Sequence, residues 1–227
     1  MNAYIITTIN AFKSEKVEKL TQRCVDSCRE FNLEPILVDA VVPATLEKVY
    51  PGWLVREDYR ERLYNNYRRK AGKEPTEEIK NRMIVMQQCM TMSHYKTRET
   101  IIEKGDKVAV ILEHDAVFMR SLPNNVNYRS CVVNLCSREQ ATHGYVVNPE
   151  YAQKYNDIYE KIGFAGHDNM NRYINKYEEI KITPFLKNPV VGGNALHETQ
   201  WDTHRGALKT HLDYVPTTTT GVYNKKK

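Results

Sequence analysis

Long apolar runs are missing from this chain of 227 residues. The longest clear one, Val108 to Leu112, falls far short of the roughly 20 residues that a transmembrane helix needs, so no transmembrane segment is expected. The amino terminus also lacks the charged segment, apolar stretch and small-residue cleavage site of a secretory leader. Both absences point to a cytoplasmic protein. Cysteine is sparse and odd in number, five in all. Cys24, Cys28, Cys89, Cys131 and Cys136 show no repeated zinc spacing, which argues for reduced thiols rather than a disulfide framework. Cys24 and Cys28 fall one helical turn apart on the face of Val17, Leu20 and Phe31, a core-packing pattern. Internal repeats are absent, and Thr217 to Thr220 is the only low-complexity patch.

What the chain does have is length and positive charge. A chain of this size can bury most of its apolar surface without cross-links, so one domain over 1–227 with an insertion is expected. A net charge of +5 and a pI near 8.8 suit a polyanionic partner, whether a nucleotide diphosphate, an acidic glycan or a nucleic acid. Composition does not choose among them. The Lys225 to Lys227 end reads as a solvated tail.

Periodicity supplies the elements. Ala3 to Ile9 reads as a strand, Ser14 to Phe31 as an amphipathic helix and Pro35 to Val42 as a second strand, a βαβ opening. Residues 43–81 form a basic, tyrosine-rich insertion in which Arg56, Arg60, Arg68, Arg69 and Lys70 crowd among Tyr59, Tyr64 and Tyr67. Arginines that pair with phosphates beside rings that stack on sugars or bases would suit acceptor binding; a solvated helical face with docked tyrosines has the same pattern. A long helix from Thr76 to Lys104 ends at Gly105-Asp106. Ser130 to Leu135 and Gly144 to Val147 read as strands, and Asn148-Pro149 as a helix start, with Asn as cap and Pro in the first position. That helix should run to Ile162, followed by a flexible Gly163 to Gly166 approach to His167-Asp168 and a short helix near Asn171 to Lys176. Residues 186–227 read as irregular, a candidate donor-closing loop and tail with His197, Arg205 and Lys209 among its diphosphate- or metal-binding groups.

The chemistry concentrates at Val108-Ala-Val-Ile-Leu-Glu-His-Asp-Ala116, where an apolar strand ends in two carboxylates two residues apart. A strand period of two sends Glu113 and Asp115 to one side, beyond the strand's carboxyl end, where α/β proteins bind ligands. Carboxylates there suit Mn²⁺ or Mg²⁺ held against substrate phosphates. By the same alternation His114 points away and reads as a packed or hydrogen-bonded histidine. A buried strand capped by a polar turn is the plain alternative for the motif alone.

Order along the chain adds a resemblance. Cys89-x-x-x-Ser93-His94, Ile111-Leu-Glu-His-Asp-Ala116, Gly144-Tyr-Val-Val147, His167-Asp168 and Ile182-Thr-Pro184 together resemble the bacterial lipooligosaccharide-type glycosyltransferases of family 25. The likeness runs from about Ala3 to Pro184. The chain departs from the family in reading Glu113-His114-Asp115 where the family reads Glu-Asp-Asp, and in lacking glycines in Met86 to Met90 before the Ser-His pair.

The resemblance implies an α/β fold of the glycosyltransferase A (GT-A) type, a single domain with a mixed central sheet and a charged helical insertion. It implies transfer of a sugar, with inversion, from a nucleotide diphosphate sugar, UDP-linked by expectation, to an acceptor hydroxyl. Asp115, Glu113 and His197 would be metal ligands. Thr7, Thr8, Ile9, Ser93, His94, Glu113, Arg205 and Lys209 would be donor contacts, and Arg56, Arg60, Arg68, Arg69 and Lys70 acceptor contacts. Asp168 would be the catalytic base; donor or second-metal contact and helix capping are its other readings. Strand-end hydroxyls for Thr7 and Thr8, and a helix-packing pair for Ser93 and His94, also stay open. The acceptor is a glycan or a hydroxymethylated base in DNA, with a protein hydroxyl third, and homodimerisation is left open. Two other classes fit the acidic and basic residues: a metal-dependent nuclease or phosphodiesterase, and a non-catalytic polyanion-binding module.

Overall fold

The structure is a computed structural model, and it describes residues 1–12, 14–49, 54–124, 127–129, 132–135, 143–166, 182–183 and 191–193. The chain opens with strand β1 (Asn2–Thr7), helix α1 (Glu15–Glu30) and strand β2 (Glu34–Asp39), followed by helices α2 (Pro43–Val49), α3 (Glu57–Ala71) and α4 (Glu77–Lys104). Strands β3 (Ala109–Glu113), β4 (Ala116–Phe118), β5 (Val132–Asn134) and β6 (Gly144–Val147) come next, then helix α5 (Pro149–Ile162) and the short strands β7 (Ile182–Thr183) and β8 (Val191–Gly193).

Six strands form one mixed sheet in the order β2-β1-β3-β6-β5-β7, and β4 pairs with β8 in a second, two-stranded sheet. β1 runs parallel to β2 and β3, with Ile6 opposite Glu113 and Thr7 opposite Asp39. β6 is antiparallel to β3, with Leu112 opposite Gly144. The carboxyl ends of β1, β2 and β3 therefore share one end of the sheet, and the entry into β6 meets them there.

Side-chain alternation divides the core into two layers. Ala3, Ile5, Val110, Leu112 and Val146 pack with Cys24, Val25 and Cys28 of α1. Tyr4, Ile6, Ile111, Tyr145 and Val147 pack on the other face with Ile101 of α4 and Tyr155, Ile158 and Tyr159 of α5. α4 is the central helix: five consecutive residues, Thr91 to Tyr95, are buried, so its middle has no solvent face. Thr76 caps it through a bond from the Ile79 amide, and Gly105 closes it in the left-handed conformation, which a residue without Cβ adopts at little cost.

Several expectations are corrected. β2 stops at Asp39: after the bond from the Ala40 amide to the Thr7 carbonyl, the Val42 amide donates to the Thr45 hydroxyl at 3.1 Å instead of to β1, and the Ser93 hydroxyl accepts from the Val41 amide at 2.8 Å. Gly163 to Gly166 is not a loose tether. Phe164 and Ala165 have no exposure, Val55 bridges to Phe164, and a Cβ on Gly166 would collide with the Tyr59 ring and Gln87. Val191–Gly193, expected to be irregular, pairs with the unforeseen β4, Ala116 opposite Gly193. The short helix expected near Asn171 to Lys176 lies outside the described residues. No helix among the described residues is long and apolar enough to cross a membrane.

The α5 entry gives a direct test of this packing. Asn148 accepts from the Tyr151 amide at 2.8 Å and donates to the Arg129 carbonyl at 2.6 Å, so one buried side chain caps α5 and pins the segment before β5. Asn148→Ala should lower unfolding free energy by about 1–2 kcal/mol, read as a shift of the urea midpoint with an unchanged slope. An unmoved midpoint would show that neither bond matters to stability.

Candidate active site

Glu113 is the last residue of β3, and Asp115 lies in the tight turn that leads into β4. The turn, rather than continued strand alternation, brings Asp115 back toward the strand end. His143 stands just before β6, and its carbonyl accepts from the Glu113 amide at 2.9 Å. Ligand atoms of Glu113, Asp115 and His143 all lie within 4.8 Å of one another. Nδ1 of His143 is 3.0 Å from Oε2 of Glu113.

The set fits a divalent ion. Two ligands on opposite sides of an ion with bonds of about 2.1 Å lie about 4.2 Å apart, so three donors already this close need only small side-chain rotations. Asp115 is buried with 3% exposure, so its carboxylate is held at the end of the sheet with little contact with water.

A line of buried groups stands behind Glu113. Its Oε1 is 3.6 Å from Nε2 of His94, a contact longer than a hydrogen bond but close enough for strong charge–dipole attraction. Nδ1 of His94 is 3.3 Å from the Tyr145 hydroxyl. Nη1 of Arg98 donates to that hydroxyl at 3.0 Å, and its Nε donates to Asn156 at 2.6 Å. Arg98 has no exposure at all; its guanidinium lies 4.4 Å from the ring centre of Tyr155 and 5.1 Å from that of Tyr159, attractive contacts once water is excluded.

Burial opposes the charge of Glu113, yet the hydrogen bond with His143 and the nearby His94 imidazole outweigh that and hold the carboxyl well below the usual range. Burial pushes the His94 imidazole down, against the pull of Glu113. On the other side of the strand, the Cys24 thiol approaches the Glu113 carbonyl at 3.8 Å. Its pKa is raised by Cys28, burial and the charge of Asp115.

The remaining expected residues fall in several places. Thr7 shares a 2.9 Å hydrogen bond with Thr21 and accepts from the Ile9 amide, while the buried Thr8 hydroxyl has no hydrogen-bond partner among the described residues. Ile9 is half-buried at the same strand end. Ser93 donates to the Cys89 carbonyl at 2.7 Å as well as accepting from Val41, so its hydroxyl ties α4 to the segment after β2. Of the basic cluster, Arg56 pairs with Asp58 and Arg68 with Glu74. Arg60, Arg69 and Lys70 are exposed on α3, whose tyrosines 59, 64 and 67 are buried. Asp168, His197, Arg205 and Lys209 lie outside the described residues.

Sequence reading missed His143, Tyr145 and Arg98. An antiparallel β6 puts the residue before it opposite the end of β3, but strand direction is not written in periodicity. An arginine inside a helix likewise looks like a surface residue until its side chain is seen to be enclosed.

No family model matches the chain, and no curated protein matches it. Among solved structures, the chain is similar to the glycosyltransferase GlyE of Streptococcus pneumoniae TIGR4 in two forms. The apo form is 11% identical with a TM-score of 0.41, over 94% of this chain and 51% of that one; the other is 8% identical with a TM-score of 0.45, over 99% and 62%. The chain thus spans about half to three-fifths of the length of GlyE. A Drosophila β-1,4-galactosyltransferase 7 mutant in complex with manganese, UDP-Gal and xylobiose is 7% identical with a TM-score of 0.40, over 100% of this chain and 81% of that one.

The pKa directions of Glu113 and His94 carry the same sign for stability. Each folded value lies below its ordinary value, 4.5 for Glu113 and 6.5 for His94. Each contribution is therefore complete above the ordinary value and is lost as pH falls toward the folded one. Metal-free protein should lose thermal stability as pH drops below about 6.5, and His94→Gln, which cannot titrate, should flatten the first part of that decline. Parallel Tm profiles for the two proteins would show that His94 does not carry it.

Proposed function

We propose that this chain is a metal-dependent glycosyltransferase of the GT-A type that moves a sugar from a nucleotide diphosphate donor to an acceptor hydroxyl. The observation that carries the reading is the convergence of Glu113, Asp115 and His143 at the shared carboxyl end of β1, β2 and β3. Ligands of open α/β sheets bind at that end. A diphosphate there needs positive charge against it, and the side chains present are those that would hold a cation.

Glu113, Asp115 and His143 would hold Mn²⁺ or Mg²⁺. The imidazole among them favours Mn²⁺, since Mg²⁺ prefers an all-oxygen shell. Such a cation, when bound, supplies charge that stabilises a nucleotide diphosphate leaving group. The protein's own part is to keep the Glu113 carboxylate ionised through His94 and His143 and to hold Asp115 in a fixed turn. Thr7, Thr8 and Ile9 stand at the β1 end for nucleoside contact, with UDP as the expected nucleotide, and Arg205 and Lys209 are assigned to the diphosphate. Asp168 is assigned as the base that deprotonates the acceptor in an inverting attack. The exposed Arg60, Arg69 and Lys70, with Arg56 and Arg68, are assigned to acceptor binding, whether the acceptor is a lipooligosaccharide-type glycan or hydroxymethylated DNA.

The test is turnover of a panel of nucleotide sugars with Mn²⁺ and each acceptor class. Wild-type protein should consume one donor in a Mn²⁺-dependent way, and Asp115→Ala should lower that rate by roughly 100-fold or more with its Tm retained. A variant with near-normal rate, or hydrolysis of nucleic acid without any sugar donor, would remove the assignment.

A further inference from the structure

With a neutral His94 imidazole, the groups behind Glu113 favour one direction of hydrogen bonding. Arginine has donors only, so the Tyr145 oxygen accepts from Arg98 at 3.0 Å. The Tyr145 hydroxyl proton is then available to Nδ1 of His94 at 3.3 Å. A neutral imidazole that accepts at Nδ1 carries its proton on Nε2, and Nε2 is the atom that faces Oε1 of Glu113 at 3.6 Å. The opposite neutral tautomer would set the Nε2 lone pair against the carboxylate oxygen of Glu113. The His94 and Tyr145 rings also stack, with centres 5.8 Å apart.

We propose that Tyr145 is a positioning residue for the candidate metal site: donating to Nδ1 of His94, it fixes the imidazole proton on Nε2, where that N–H orients the Glu113 carboxylate. The inference rests on the metal-site reading above and extends it to a residue that touches neither ion nor substrate. Buried partners that orient a ligating carboxylate or imidazole commonly govern metal affinity through that orientation. Arg98 completes the arrangement, because its bond to the Tyr145 oxygen leaves the hydroxyl proton directed toward His94.

The test needs two readouts. Nitrogen-15 spectra of histidine-labelled, metal-free protein report the tautomer directly, and Mn²⁺ titration followed by electron paramagnetic resonance reports affinity. Wild-type His94 should show the Nε2–H tautomer. Tyr145→Phe should show a mixed or reversed tautomer and bind Mn²⁺ roughly 10-fold or more weakly. If that variant does not fold, His94→Gln, which keeps an N–H donor toward Glu113, should bind Mn²⁺ as wild type does, and His94→Leu, which keeps volume without the donor, should bind it weakly. A wild-type Nδ1–H tautomer or imidazolium overturns the proposal, as does wild-type affinity in Tyr145→Phe or His94→Leu. Wild-type protein with the expected tautomer that binds no Mn²⁺ overturns it as well, and in that case the metal-site reading is the part at fault.

Discussion

A guanidinium with no exposure and a carboxylate with little cannot stand in an apolar interior without groups that answer their charges. The line from Arg98 through Tyr145 and His94 to Glu113 is that answer, and much of the molecule is arranged around it. Arg98 and His94 lie four residues apart on α4, and so share one helix face. Tyr145 stands at the second position of β6, Glu113 at the last of β3. The line holds only if α4 packs against the sheet in one rotation and if β6 enters beside β3 in one register. A slip of β6 by a single residue would turn Tyr145 to the α1 side and leave Arg98 and His94 without a shared partner. Removing one member of such a buried set costs more than its bonds contribute, because the charge left behind stays desolvated.

The same register delivers the candidate site. Leu112 opposite Gly144 puts His143 beside Glu113, and the turn at His114-Asp115 returns the second carboxylate to both. The strands that carry these residues are fully buried except at their ends. The candidate ligands thus sit at the rim of the sheet: Glu113 at the end of β3, Asp115 in the turn after it and His143 just before β6. The tyrosine layer formed by Tyr145, Tyr155 and Tyr159 connects that rim to α5, whose own start is fixed by Asn148.

Much of the scaffold is legible in the sequence because it depends on local rules. The opening βαβ unit, the start of α4 near Thr76, its stop at Gly105 and the Asn148-Pro149 start follow from periodicity and end signals, and the Glu113/Asp115 pair is visible as a motif although a turn, not strand alternation, brings the two together. What is not legible depends on direction and depth. Nothing local shows that β6 runs against β3, so His143 could not be joined to Glu113. Nothing local shows that the middle of α4 is enclosed, so Arg98 draws no notice and Ser93-His94 stays open between a donor contact and a helix-packing pair. Gly163 to Gly166 looks like a hinge by composition, and only the Tyr59 ring packed over Gly166 shows that glycine is there for space. The tyrosines of α3 show the same limit in reverse: their pattern suited stacking on a ligand or docking on the core, and Tyr59, Tyr64 and Tyr67 are buried.

The central claim is that Glu113, Asp115 and His143 hold one divalent ion against a nucleotide diphosphate. Crystals grown with Mn²⁺ and UDP, with anomalous differences collected at the manganese edge, test it most directly. One strong peak is expected within bonding distance of all three side chains and of a diphosphate oxygen. A peak away from these residues, or bound UDP with no ion between it and Asp115, would contradict it.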